Sequence, residues 1–227
     1  MYETDPTHPT AATRLRLAQG LSIAGMLGLC VTAFLPHLDV GGVYAPVGIF
    51  EHVRDAIESG IWVLILPFLL APVMLLVRIA SLVVRRKGFD AVAGWTLCLL
   101  VFGLFMFADI AIWKQMGRAQ VLSRWRSAEN LVPLSWVLVM SLTTLAILAL
   151  CGLRNARMRL AACSAAVGTY DLYFLACVLA ANLMDRSPDI LFGFYVSLGF
   201  SFLMTVGGIW ETKLLWHRDA VGRDGAT

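Results

Sequence analysis

Six stretches of this chain are each apolar enough and long enough to cross a bilayer, and they leave no space for a soluble domain. They run roughly over 17–36, 61–84, 91–113, 132–153, 158–183 and 191–212, against the ~20 residues needed to cross a hydrocarbon layer of ~30 Å. The longest connection, 37–60, holds twenty-four residues, too few to build a core of its own. With 59% hydrophobic residues, 15% charged residues and a mean hydropathy of +0.77, the composition is that of a polytopic membrane protein whose core is its helix–helix contacts. The expected fold is all-α. It has a tail at 1–16, a six-helix transmembrane domain over 17–216 and a second tail at 217–227, polar and without structure after Arg218.

Charge placement sets the expected topology. One side would carry Arg14, Arg16, Arg85, Arg86, Lys87, Arg154, Arg157, Arg159, Lys213, Arg218 and Arg223. The other would carry Arg54, Lys114, Arg118, Arg124, Arg126 and Arg186. Eleven basic residues against six put both termini in the cytoplasm of a multi-pass inner-membrane protein. The basic residues are scattered in short flanks, so no nucleic-acid partner is expected. Two connections read as short amphipathic helices on the membrane surface, 47–58 and 115–128, the second carrying Trp125.

The clearest functional clue is Asp171 in Gly168-Thr-Tyr-Asp-Leu-Tyr-Phe174, close to the middle of the fifth span. Ionising a carboxyl there costs several kcal/mol, so it should be protonated, paired, or turned to water or to another helix. Tyr170, Tyr173 and Asn182 add polar groups to the same helix, and Tyr170 cannot face the way Asp171 does, because sequence neighbours diverge by ~100°. A weaker echo is Asp109, near the outer end of the third span, within reach of the interface or Lys114. Arg78, six residues before Arg85-Arg86-Lys87, is expected to snorkel to the cytoplasmic surface, the alternative being a buried partner for one of these acids. Spans two and three, and again four and five, each read as an apolar helix, a basic turn and a helix with one acid, a faint internal repeat.

Packing signals are plainer. Gly20, Ala24 and Gly28 on the first span, and Gly193, Ser197, Ser201 and Thr205 on the sixth, recur every four residues and would let neighbouring backbones approach closely. The fifth span opens with Ala161, Ala162, Cys163, Ser164, Ala165, Ala166 and Gly168, a surface on which the sixth could pack. Pro67 and Pro72 should kink the second span or free carbonyls within it. Trp210 and Trp216, with Glu211 and Lys213 between them, mark an interface. All five cysteines (Cys30, Cys98, Cys151, Cys163, Cys177) fall within spans with no Cys-x-x-Cys pair, and read as small packing residues. No metal site is expected, since His37, Asp39, Glu51 and His52 fit no ligand spacing. No haem is expected either, because His8, His37, His52 and His217 all lie outside the spans.

Two stretches resemble the paraquat-inducible protein A family of bacterial inner-membrane proteins. The first is Phe34-Leu-Pro36-His-Leu-Asp-Val-Gly-Gly42 followed by Gly60-Ile-Trp62 and a proline-bearing span. The second is Gly168 to Phe174 with the closing Trp210-Glu-Thr-Lys213-Leu-Leu-Trp216. The family's cysteine-rich zinc ribbons are missing, Leu75 stands where it places a lysine, Glu211-Thr212 replaces its aspartate-proline, and six spans exceed the four of one family domain. The resemblance implies a non-enzymatic component that handles lipid with a periplasmic mammalian-cell-entry-domain partner, Asp171 being the polar element of a lipid- or proton-responsive core.

Membrane lipid and a protein partner in the membrane or periplasm are thus the expected partners, with no cofactor and no catalytic residue. A second reading is an accessory subunit of a larger membrane complex (respiratory, photosynthetic or transport), in which Asp171 bonds a neighbouring helix. An intramembrane aspartyl protease is the third. It needs a Gly-x-Gly-Asp element that Phe107-Ala-Asp109 does not supply, and two acids at equal depth, whereas Asp109 and Asp171 lie ~27 Å and ~20 Å from the cytoplasmic ends of their helices.

Overall fold

The computed structural model describes residues 10–39, 43–45, 65–84, 87–116, 131–153, 155–183 and 189–224. Among the described residues six helices dominate: α1 (Ala11–Thr32), α2 (Leu66–Val84), α3 (Lys87–Met116), α4 (Leu131–Cys151), α5 (Ala156–Leu183) and α6 (Phe192–Asp224). Three two-residue strands, β1 (Leu38–Asp39), β2 (Val43–Tyr44) and β3 (Asp189–Ile190), form an antiparallel sheet in the order β2-β1-β3. The surface helix expected at 47–58, Trp125 and the connection beyond Met116 lie outside the described residues; residues 115 and 116 close α3.

Among the described residues, five helices are apolar enough and long enough to cross a membrane: α1, α2, and the stretches Gly88–Ile110 of α3, Ala156–Ala180 of α5 and Phe192–Asp219 of α6. In α4 the described apolar stretch is Leu138–Cys151. Large apolar side chains face outward along the helices while several charged ones lie inside. Leu76, Val83 and Leu142 are more than 60% exposed, while Asp171 and Glu211 are fully buried. That inversion suits a solvent of acyl chains, with which helix–helix contact yields no net hydrophobic gain and small or polar residues hold the interfaces instead.

Neighbouring helices run in alternating directions, as the contacts at each end require. At one end Asn155 donates to Asp219, Arg157 pairs with Asp90, and Asp90 accepts from Ser81 at 2.6 Å. At the other, β1 bridges β2 and β3, and the Gly193 amide donates to the Pro36 carbonyl at 3.0 Å. The first is called the basic end, since Arg14, Arg16, Arg157, Lys213 and Arg218 gather there; the second is the sheet end. The most extensive contacts are α1 on α6 and α5 on α6, with α5 also touching α2, α3 and α4.

Several boundaries differ from those read in the sequence. Thr10 caps α1, its hydroxyl accepting from the Thr13 amide at 3.3 Å, so the helix starts well before residue 17. It gives way after Thr32 to tight turns leading to Pro36. α3 begins at Lys87, four residues before the start expected for the third span. Pro67 falls in the first turn of α2, where a missing N–H costs nothing, and only Pro72 sits inside the helix. α6 continues to Asp224, so the tail expected to lack structure after Arg218 is largely helical.

Of the ladder expected on α1, Gly28 packs against Phe200 of α6, but the other two positions do not pack. Gly20 and Ala24 are exposed, and a Cβ at Gly20 would meet nothing within 4 Å. The buried line is Ala18, Ser22, Gly25, Met26, Gly28, Leu29 and Thr32. Steps of four advance ~40° beyond a full turn, so a strict four-residue ladder winds off a straight contact line, whereas alternating steps of four and three stay on it.

Candidate functional site

Helix α6 is wedged between α1 and α5, and small residues on both flanks bring it to backbone contact. Towards α1, a Cβ at Gly25 would lie 2.5 Å from the Met204 amide nitrogen, and one at Gly207 would lie 2.4 Å from that of Ser22. Towards α5, a Cβ at Gly208 would lie 2.7 Å from the Ala165 nitrogen, and one at Gly168 would lie 2.6 Å from Thr205 Oγ1. The 28-residue α5 supplies the other half of the wedge through Ala161, Ala165 and Gly168.

Three polar assemblies line this wedge from one end to the other. At the sheet end Gly193 packs on Pro36, and His37, outside the helices, is 3% exposed. Its Nδ1 lies 2.6 Å from the Leu35 carbonyl and its Nε2 2.7 Å from Ser197 Oγ. A carbonyl only accepts, so Nδ1 carries the proton and Nε2 accepts from the serine. Burial lowers the pKa of His37, partly offset by the Leu35 bond, which keeps the imidazole neutral. Phe68 stacks edge-on at 5.3 Å. Both ring nitrogens are engaged, and no group of three or more His, Cys, Asp or Glu among the described residues is arranged to hold a metal.

At mid-depth Asp171 is fully buried against α6, where Ser201 Oγ donates to its Oδ2. Its Oδ1 has no hydrogen-bond partner. Tyr170 turns the other way, its ring edge-to-face with Phe105 of α3 at 4.9 Å and its hydroxyl 3.8 Å from Met140 Sδ of α4. Tyr173 faces α4 as well, with its hydroxyl at Ser135 and Cys177. The backbone of Asn182 lies in the last turn of α5; its side chain is outside the described residues.

Towards the basic end Arg78 of α2 forms an ion pair with Glu211 of α6, and Gln19 Nε2 of α1 donates to the other carboxylate oxygen at 3.1 Å. Arg78 is 5% exposed and Glu211 0%. The guanidinium therefore does not snorkel, and its partner is neither Asp171 nor Asp109. Glu211, which its neighbouring tryptophans place at an interface in the sequence, is inside the bundle, while Trp210 is half-buried and Trp216 is 60% exposed.

Asp109 belongs to a different joint. It accepts from Ser141 at 2.9 Å and from Thr144 at 2.8 Å, fastening α3 to α4, and Trp113 donates to the same Ser141 at 3.3 Å. The two membrane aspartates thus draw their hydrogen bonds from different helices and share none.

Beside the wedge, Leu150, Ala162, Ala165, Ile209, Thr212, Lys213 and Trp216 line an open cleft of about 400 Å³ between α4, α5 and α6. Its walls are almost wholly apolar, and the cation and the indole stand at the basic end. Sequence reading names Trp216 only as an interface residue and misses the cleft, because its lining is scattered over three helices. No family model, curated protein or solved structure matches the chain.

Proposed function

We propose that this chain is a non-enzymatic, multi-pass component of a bacterial inner membrane that handles lipid together with a protein partner on the periplasmic side. The cleft between α4, α5 and α6 is the observation that carries the reading. It has the volume of a small-molecule site, apolar walls matched to an acyl chain, and Lys213 and Trp216 where a headgroup would lie. Exchanging bilayer for protein around an acyl chain gains little, since both are apolar. Selectivity then falls to the headgroup. One lysine near an anionic headgroup contributes about 1 kcal/mol, or about a fivefold preference.

Asp171 is the polar element of this reading. Its carboxyl has one oxygen held by Ser201 and one free at the middle of the helix pair that borders the cleft, so a change in its protonation is felt where α5 and α6 pack.

Detergent-solubilised pull-down with identification of bound lipids and proteins tests the proposal. Co-purification of a phospholipid and a periplasmic partner supports it; a chain that carries neither refutes it. The accessory-subunit reading is favoured by a separate observation, the mutual pairing of Arg78 with Glu211 and of Asp109 with Ser141 and Thr144, which leaves those groups purely cohesive. Fixed-stoichiometry recovery with a membrane complex, and no lipid, would select it.

A further inference from the structure

Three buried thiols meet where α3, α4 and α5 converge, although each reads in the sequence as an isolated packing residue. Cys98 of α3 and Cys163 of α5 are fully buried with their sulfurs 3.1 Å apart. That is ~1 Å more than an S–S bond length. Cys151, the last residue of α4, is 6% exposed and makes a side-chain hydrogen bond with Cys98.

A buried cation lies beside Gly94 and Trp95, one turn before Cys98. Arg159 is 4% exposed, lies 4.8 Å above the Trp95 ring and donates through one terminal nitrogen to the Leu153 carbonyl. Its Nε has no partner, and no carboxylate pairs with it among the described residues. The charge acts on all three thiols. An uncompensated buried cation is costly, and the guanidinium favours the negative charge that develops on a nearby sulfur as it reacts. Thiolates next to arginine are the reactive form of cysteine.

We infer that Cys98 and Cys163 form a reversible disulfide on oxidation by a hydroperoxide, with Arg159 as the positioning residue. The Cys98 sulfur attacks the peroxide; an S–O bond forms, the O–O bond breaks, and the alkoxide leaves with the Cys98 proton as an alcohol. The Cys163 sulfur then attacks the Cys98 sulfenic acid. An S–S bond forms, the S–O bond breaks, and hydroxide leaves with the Cys163 proton as water. Two thiols lose two electrons and the peroxide gains them. The product ties α3 covalently to α5, the helix that holds Asp171.

The test uses the full chain in detergent, treated with hydrogen peroxide, denatured, alkylated and mapped by mass spectrometry. A linked Cys98–Cys163 peptide, lost on reduction with dithiothreitol, is expected, while Cys30 and Cys177, both partly exposed, stay alkylated. In Cys163→Ser, Cys98 should accumulate as a sulfenic acid captured by dimedone. Arg159→Gln should slow linkage about tenfold at neutral pH and recover at high pH, a pH dependence that loss of packing alone would not produce. Cys98 and Cys163 that remain alkylatable after peroxide treatment, or linkage to a different cysteine, would overturn the inference.

Discussion

Glu211→Gln isolates the buried charge pair with almost no change of shape. Arg78 and Glu211 have side chains 6% and 0% exposed, so the substitution leaves a guanidinium without its counter-ion inside an apolar bundle. It also places an amide NH2 opposite either the Arg78 or the Gln19 donor, since both carboxylate oxygens are in use. Removing one member of a buried pair costs about 3–5 kcal/mol. For a chain of this size each kcal/mol moves the melting temperature by about 2–4 °C, so the midpoint should fall by about 6–20 °C. Arg78→Met should cost a similar amount, and the double variant Arg78→Met/Glu211→Gln clearly less than the two singles added, because neither charge is then stranded. Thermal unfolding of purified protein in detergent, read as loss of the monodisperse gel-filtration peak, measures all four species. A loss below 1 kcal/mol in both singles is what an exposed pair gives, and would mean that Arg78 reaches water after all.

Three further outcomes are expected. Gly207→Ala and Gly208→Ala should each destabilise the bundle by about 1–3 kcal/mol, since the new methyl would meet backbone atoms at 2.4 and 2.7 Å; Gly20→Ala, with open space around it, should be neutral or stabilising, and equal effects in the same unfolding assay would refute the wedge. The His37 pKa is lowered on folding, so the unfolded chain takes up the proton first. Stability from this group is complete above about pH 6.5 and is lost as pH falls below it; unfolding midpoints between pH 5 and 7 should therefore slope less in His37→Gln than in the unaltered chain, and equal slopes would show that the group does not titrate on unfolding. Asp171→Asn keeps the Ser201 bond and removes the charge, so cells should contain normal amounts of protein yet lose outer-membrane integrity; a defect confined to assembly would favour the accessory-subunit reading.

How much of this was legible in the sequence depends on the range of the forces involved. The helices were, because crossing a bilayer requires only local composition and length. Their ends were read less well, as Thr10 and Asp224 show: a hydroxyl cap and a polar helical extension leave no hydropathy signal. Partner choice was hidden. Arg78 and Glu211 are 133 residues apart and Cys98 and Cys163 are 65 apart, so only the packing of α2 and α3 around α5 and α6 decides that they meet. Equal depth is the one clue the sequence offers, since Gln19, Arg78 and Glu211 all sit within ~20 Å of the basic end when counted along their helices. The four-residue ladder of α6 divides in the same way. Ser201 and Thr205 meet Asp171 and Gly168 of α5, whereas Gly193 and Ser197 meet Pro36 and His37, a contact with the segment that follows α1 that no periodicity reveals.

Lipid handling is tested most directly by a photoreactive residue at position 209, which lines the cleft and is 55% exposed, compared with one at position 76, which is 68% exposed on α2. Adducts at 209 should be enriched about fivefold in anionic phospholipid over those at 76, with the enrichment abolished by Lys213→Gln. The same lipid composition at both positions would contradict the account.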